Sequence, residues 1–146
     1  MKENQMLTLD IANTISAAAL AEARKMSLKP ISVVVLDHRA ATISIQSEDG
    51  VCIMRSDIAK AKANAAIQLG MGTRALMNRA EQQAYFVDAV NGLGKGNIIP
   101  VPGGVLVKDS NGTIIGAVGI SGDTSDNDEI AALAGIAASG LAADAG

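Results

Sequence analysis

Val105-Leu106-Val107-Lys108-Asp109-Ser110-Asn111-Gly112-Thr113-Ile114-Ile115 decides the architecture. Two β-branched runs flank Asp-Ser-Asn-Gly, and Asn-Gly is a strong short-turn signal because both residues tolerate positive φ. The stretch reads as a hairpin whose second strand continues through Ala117-Val118-Gly119-Ile120 until Ser121-Gly122 breaks it. A second pair of runs lies upstream. Ile31 to Asp37 is apolar on both faces and reads as a central strand. His38-Arg39-Ala40-Ala41 turns the chain, and Thr42 to Ser47 alternates Ile43 and Ile45 with polar neighbours, which reads as a half-buried partner. Strands arriving in hairpins argue for an antiparallel sheet with helices packed on it, an α+β domain, rather than a doubly wound sheet.

Helical patterns fill the intervals. Thr8 is positioned as an N-cap, and Ile11, Ile15, Ala19, Ala23 and Met26 recur at helical spacing before Pro30 ends the segment. A second helix starts at Ser56 or Asp57 and runs to Leu69, closed by Gly70. Its alanines imply close packing on the sheet or on another helix. Shorter helices are expected from Thr73 and over Glu81 to Val90, with Asn91 to Asn97 a flexible glycine-rich loop. The last helix opens near Ser125 or Asp126, with Glu129 placed to complete a capping box with Asp126, and carries from Ala131 to Ala143.

With 146 residues, the chain reads as a single domain over 1–146, long enough to need no disulfide or metal staple. Aromatic residues are 1% of the chain, Tyr85 and Phe86, and the net charge is −3. Nucleic acid is therefore not an expected partner, since both base stacking and phosphate binding lack their residues. Cys52 is the only cysteine, so no disulfide forms within the chain and a reducing compartment is favoured. No membrane-spanning or signal-like segment is visible, and the expected location is the cytoplasm.

Few residues carry chemistry. His38, the single histidine, reads as an exposed turn residue or as a metal ligand. Gly119-Ile120-Ser121-Gly122-Asp123 is not a serine-hydrolase elbow. Asp123, Asp126, Asp128 and Glu129 lack the order of a calcium loop and read mainly as helix-start carboxylates. Pro102-Gly103-Gly104 marks backbone that approaches a ligand, a second subunit or a strand bend closely. Lys60 and Lys62 read as solvated helix residues, and Met54, Met71 and Met77 as core filler rather than iron ligands.

Three stretches resemble the GlcG/HbpS family, which includes the C-terminal domain of PduO-type corrinoid adenosyltransferases: Ile31 to Asp37; Ser56-Asp57-Ile58-Ala59-Lys60-Ala61-Lys62-Ala63; and Pro102-Gly103-Gly104 with Asp109, Gly112, Ile115 to Gly122, Asp128-Glu129 and Ala132. The resemblance implies a profilin-like α+β fold, assembly into dimers or higher oligomers, and, for some members, binding of haem or an association with corrinoid metabolism. The family often carries Gly-Gly after the strand aspartate, where this chain has His38-Arg39. Three functions are weighed: from the resemblance, a non-enzymatic haem or tetrapyrrole-binding accessory or sensor protein, with His38 as axial ligand; a small enzyme or enzyme subunit acting on a carboxylate or phosphate metabolite held between Gly103-Gly104 and Ser121-Gly122, with Lys62 and Asp128 as acid and base; or a structural oligomer assisting a diol- or glycerol-processing complex. The ligand site is expected where Gly103, Gly104, Ser121 and Gly122 converge with Lys62, Asp128 and Glu129 to line a cavity completed by a second copy. Arg39, Lys62 and Arg74 are the residue types that would meet haem propionates.

Overall fold

The computed structural model describes residues 5–146. In chain order the elements are α1 (Leu9–Lys25), β1 (Ser32–Asp37), β2 (Thr42–Ser47), α2 (Arg55–Leu69), α3 (Thr73–Gln82), α4 (Ala84–Leu93), β3 (Gly104–Lys108), β4 (Ile114–Ser121), α5 (Ser125–Ala138) and β5 (Ala142–Asp144). The strands form one antiparallel sheet in the order β2-β1-β4-β3-β5. The two hairpins meet along β1 and β4, with Val33 opposite Ile120 and Val35 opposite Val118. This is the α+β arrangement expected from the hairpin pairs, with helices packed on an antiparallel sheet as the family resemblance also implied.

Alternation along the strands sorts the core into two layers. Val33, Val35, Val105, Val107, Val118 and Ile120 face α1 and α5, whose buried Ile15, Ala19, Ala132 and Ile136 complete the larger core. Val34, Leu36, Leu106 and Ala117 face Ala59, Ala63 and Ala66 of α2 on the other side. β1 is therefore buried on both faces, as its uninterrupted apolar run required. The alanines of α2 allow a close approach: a Cβ on Gly119 would collide with the Ala59 carbonyl. A third, smaller cluster joins Ala65 of α2 to Leu76, Val87 and Ile98, with Arg79 stacked 4.1 Å above the Phe86 ring.

Several sequence expectations are corrected. In β2, Ile45 is exposed while Ser44 is partly covered, because β2 is an edge strand and a register irregularity at Val35/Leu36 disturbs its alternation. The β3–β4 turn is not a two-residue Asn-Gly turn. Only Gly112 takes positive φ (+78°), and Asp109 organises the loop by accepting from Asn111 N (2.9 Å) and Thr113 N (3.0 Å). The glycine-rich segment is helical through Leu93. The last helix stops at Ala138, and Ala142–Asp144 forms a short strand on β3, tied by Lys108 Nζ to Asp144 Oδ2 (2.7 Å). Alanine-rich composition favours helix over 131–143, but Gly140 at φ +77° breaks it, and the free edge of β3 captures the residues beyond the break.

Candidate functional site

The expected site residues gather at the end of the sheet where β4 runs out; the gathering is closed around Lys62, while Gly122 and Arg55 border a cavity of about 290 Å³ with Pro30 and Cys52. Gly103 takes φ +117°, and a Cβ there would lie 2.9 Å from both Ile120 O and Lys62 Nζ. A Cβ on Gly104 would strike the Lys62 backbone. Gly104 is further held by Thr73, whose Oγ1 accepts from Gly104 N (2.8 Å) and donates to Gly104 O (3.2 Å). Lys62 leaves α2 on one sheet face, passes Gly103 and reaches α5, which packs on the other. Its ammonium donates to Ile120 O (2.9 Å) and Asp128 Oδ2 (3.1 Å). The Lys62 and Asp128 side chains are 2% and 1% exposed, so Lys62 is not the solvated helix residue its sequence context implied. Burial draws Lys62 below its ordinary value against the opposing pull of Asp128, and burial likewise raises Asp128 against the pull of Lys62.

The rest of the cluster is also occupied. Asp128 Oδ1 accepts from Asp123 N (3.1 Å), and buried Ser121 Oγ accepts from Arg55 Nη1 (3.1 Å). A Cβ on Gly122 would meet the Pro30 carbonyl. Glu129 receives Arg74 in a two-pronged pair, Nε to Oε1 at 3.0 Å and Nη2 to Oε2 at 3.0 Å, and Arg74 Nη2 also bonds Asp126. The capping box drawn between Asp126 and Glu129 is thus absent. Thr124 caps α5 by accepting from Asn127 N (3.2 Å), which frees both acids for Arg74. Asp123 bonds Lys29 N, Thr124 N and Asn127 Nδ2, and these bonds, led by Asn127, hold its carboxyl below the ordinary value of 3.8. Each of the four acids is partnered, Asp126 and Glu129 by the same Arg74, and no group of three or more His, Cys, Asp or Glu is placed to hold a metal ion among the described residues.

The residues expected to converge do lie together, but the sequence reading expected an empty space among them. In the single chain the Lys62 side chain fills that space. Thr73, Arg55 and Arg74 complete the joint, and the sequence offered no signal for Thr73 or Arg55.

His38 lies elsewhere, exposed in the β1–β2 turn. It borders a cavity of about 160 Å³ with Met6, Thr113, Ile114 and Ile115. Neighbouring Arg39 is 74% exposed and pairs only loosely with Asp37, at 3.8 Å. Of the three cations expected to meet propionates, Arg39 alone is available; Lys62 and Arg74 are committed to carboxylates.

A small α+β protein with a five-stranded antiparallel sheet, a lysine–aspartate joint and an exposed turn histidine is thus the class defined by the geometry. The profile of the HbpS-like family, described as haem degrading protein HbpS-like, matches residues 7–137, and the chain belongs to that family. An uncharacterized 15.0 kDa protein of the dhaT-dhaS intergenic region of Citrobacter freundii is 31% identical over 134 residues, covering 90% of this chain and 92% of that protein. Among solved structures, HbpS superposes with a TM-score of 0.80 at 27% identity, over 94% of this chain and 92% of that one. The PduOC:haem complex superposes with a TM-score of 0.85 at 22% identity, over 94% and 98%. No helix among the described residues is long and apolar enough to cross a membrane.

Proposed function

We propose that this protein binds haem or a related tetrapyrrole, a corrinoid being the second choice, and acts without catalysis as a carrier, sensor or accessory factor. The observation that carries the haem half of the reading is the family match over residues 7–137. The similarity of fold to a protein solved as a haem complex supports it. The Citrobacter relative supports a link to diol or glycerol metabolism, and the single unpaired cysteine supports a reducing, cytoplasmic setting.

The residues around His38 fit such a group. The exposed imidazole is a nitrogen donor, Arg39 is free to meet a propionate, and Met6, Ile114 and Ile115 give apolar contact. When bound, haem would supply an iron centre with redox and gas-binding chemistry; the chain's part is to hold and orient it. The 160 Å³ beside His38 is less than the ~300–1,000 Å³ of ordinary ligand pockets, so in this reading a second copy closes the site and the working form is a homo-oligomer. Gly103, Gly104, Ser121, Gly122, Lys62, Asp128 and Glu129 then brace the fold rather than touch ligand. The enzymatic alternative gains no support, because Lys62 and Asp128 are too deeply buried to meet a substrate in the single chain.

Hemin added to the purified apo-protein should shift the Soret band to a stoichiometric endpoint, and His38→Ala should change that spectrum. An unshifted, non-saturating titration overturns the reading; saturable binding with an unaltered His38→Ala spectrum removes His38 as the ligand.

A further inference from the structure

A feature left unexplained is a cavity of about 420 Å³ between α2 and the C-terminal end of α4. It shares no lining residue with the space beside His38. Leu69, Val90, Leu93 and Ile98 give it apolar walls, and Leu93 is 86% exposed at its rim. Its polar lining is Asn64, Gln68 and Lys95, with no carboxylate.

Lys95 joins none of the ion pairs among the described residues. It sits at φ +54°, a left-handed conformation that a lysine adopts at a cost, between Gly94 and Gly96. The turn that holds it there is pinned. Lys95 N donates to Gly92 O (3.3 Å), Gly96 N to Asn91 O (3.1 Å) and Asn97 N to Gly94 O (3.0 Å), while Asn64 Nδ2 ties Asn97 O to α2 (2.9 Å). Gln68 Nε2 donates to Asn64 Oδ1 (3.2 Å). Each of the two amide groups has thus spent one N–H and keeps one. A cation and two side-chain amides, each with one N–H uncommitted, therefore belong to the lining of a hollow that contains no anion of its own. A purely apolar partner surface would bury these donors unsatisfied, at a cost. A carboxylate with a hydrocarbon body satisfies both halves of the lining.

We propose that this cavity binds an apolar carboxylate, its body against Leu69, Val90, Leu93 and Ile98 and its anionic head on Lys95 with the spare N–H groups of Asn64 and Gln68. The volume lies within the ~300–1,000 Å³ range of small-molecule pockets. The carboxylate belongs either to a free acyl chain or to a side arm of the tetrapyrrole, and the head-group chemistry is shared.

The test is calorimetric titration of the full chain with decanoate, and with decanol as the uncharged control. Decanoate should bind saturably at one site per chain. Decanol should bind at least tenfold more weakly. Lys95→Met should lose at least tenfold for decanoate, Lys95→Arg should keep most of it, and Gln68→Leu should lose severalfold, all with unchanged melting curves. Equal binding of the acid and the alcohol, or an unaltered Lys95→Met, overturns the proposal. So does a failure to bind decanoate combined with a change in sedimentation on Leu93→Asp, since the face is then covered by a second copy. Competition by hemin assigns the carboxylate to the tetrapyrrole, and independent binding of the two assigns it to a separate acyl ligand; the site stands in both cases. Retention of decanoate binding by His38→Ala keeps this result distinct from the fate of the haem reading.

Discussion

The two polar assemblies on α2 differ in one respect that decides their roles. Around Lys62 the buried ammonium has its carboxylate and a carbonyl, and glycine occurs at 103 and 104 because no side chain fits. Around Asn64, Gln68 and Lys95, one helical turn further along, a cation has no counter-charge and the space beside it is open. A satisfied buried ion pair fixes geometry, whereas an unsatisfied set of donors beside a hollow is prepared for something not yet present. Sequence motif density points the other way: the glycine pairs and acids crowd the sealed joint, while the open cavity is marked by a loop that reads as filler.

The largest effect should separate the two regions outright. Gly104→Val drives a side chain into the Lys62 backbone and should cost about 4 kcal/mol or more. Asn91→Ala, beside the open loop, removes a buried oxygen that has no partner and should stay within about 0.5 kcal/mol. Urea unfolding of both variants measures the contrast, and equal midpoints would erase it.

A more discriminating result comes from the joint itself. Lys62→Met strands the Asp128 carboxylate in a dry site and should cost about 3–5 kcal/mol. Removing the charge on both sides, Lys62→Met with Asp128→Leu, should recover most of that loss, which a double-mutant cycle in urea would read as strong coupling. Purely additive losses would mean that the lysine matters for its packing along Gly103 and not for its charge.

The smallest effect is a pH dependence carried by Asp123 beside the joint and Asp144 at the sheet edge. Bonds from Asn127, Lys29 and Thr124 hold the Asp123 carboxyl below its ordinary 3.8, and the Lys108 ammonium does the same for Asp144. In the unfolded chain these groups take up protons first, so the unfolded state binds more protons in the window below 3.8. Their contribution is complete above that value and is lost as pH falls through the depressed folded values. Urea midpoints should therefore drop between about pH 5 and pH 2, and Asp123→Asn should flatten part of the slope. An unchanged slope in the variant would show that Asp123 bonds equally well in the unfolded chain.

Much of this was legible from local pattern. The Ile31 to Asp37 run had to lie centrally because both of its faces are apolar, and α2 had to sit tight on something because it is built from alanine. Thr8 is the cap it resembled, accepting from Ile11 N at 3.2 Å. The readings that failed are those in which a distant partner overruled a local rule. Glu129 had the spacing of a capping residue, yet Arg74, 55 positions away, claims it. Ala142–Asp144 had helical composition, yet the bare edge of β3 takes it as a strand. Lys62 looked solvated because its neighbours on α2 alternate small and polar, and nothing nearby in the chain announces Asp128.

Secondary elements and their amphipathic faces are determined by the chain alone, since periodicity, caps and breakers act over a few residues, whereas the crowding that demands glycine at 104 and 119 comes from α2 packed across the sheet. Which polar groups find one another is decided only when the sheet brings α2, Gly103 and α5 together, because a charge pair is set by distance in space and burial, neither of which is encoded at either residue. The same folding step seals the joint at Lys62 and leaves the hollow at Lys95 open.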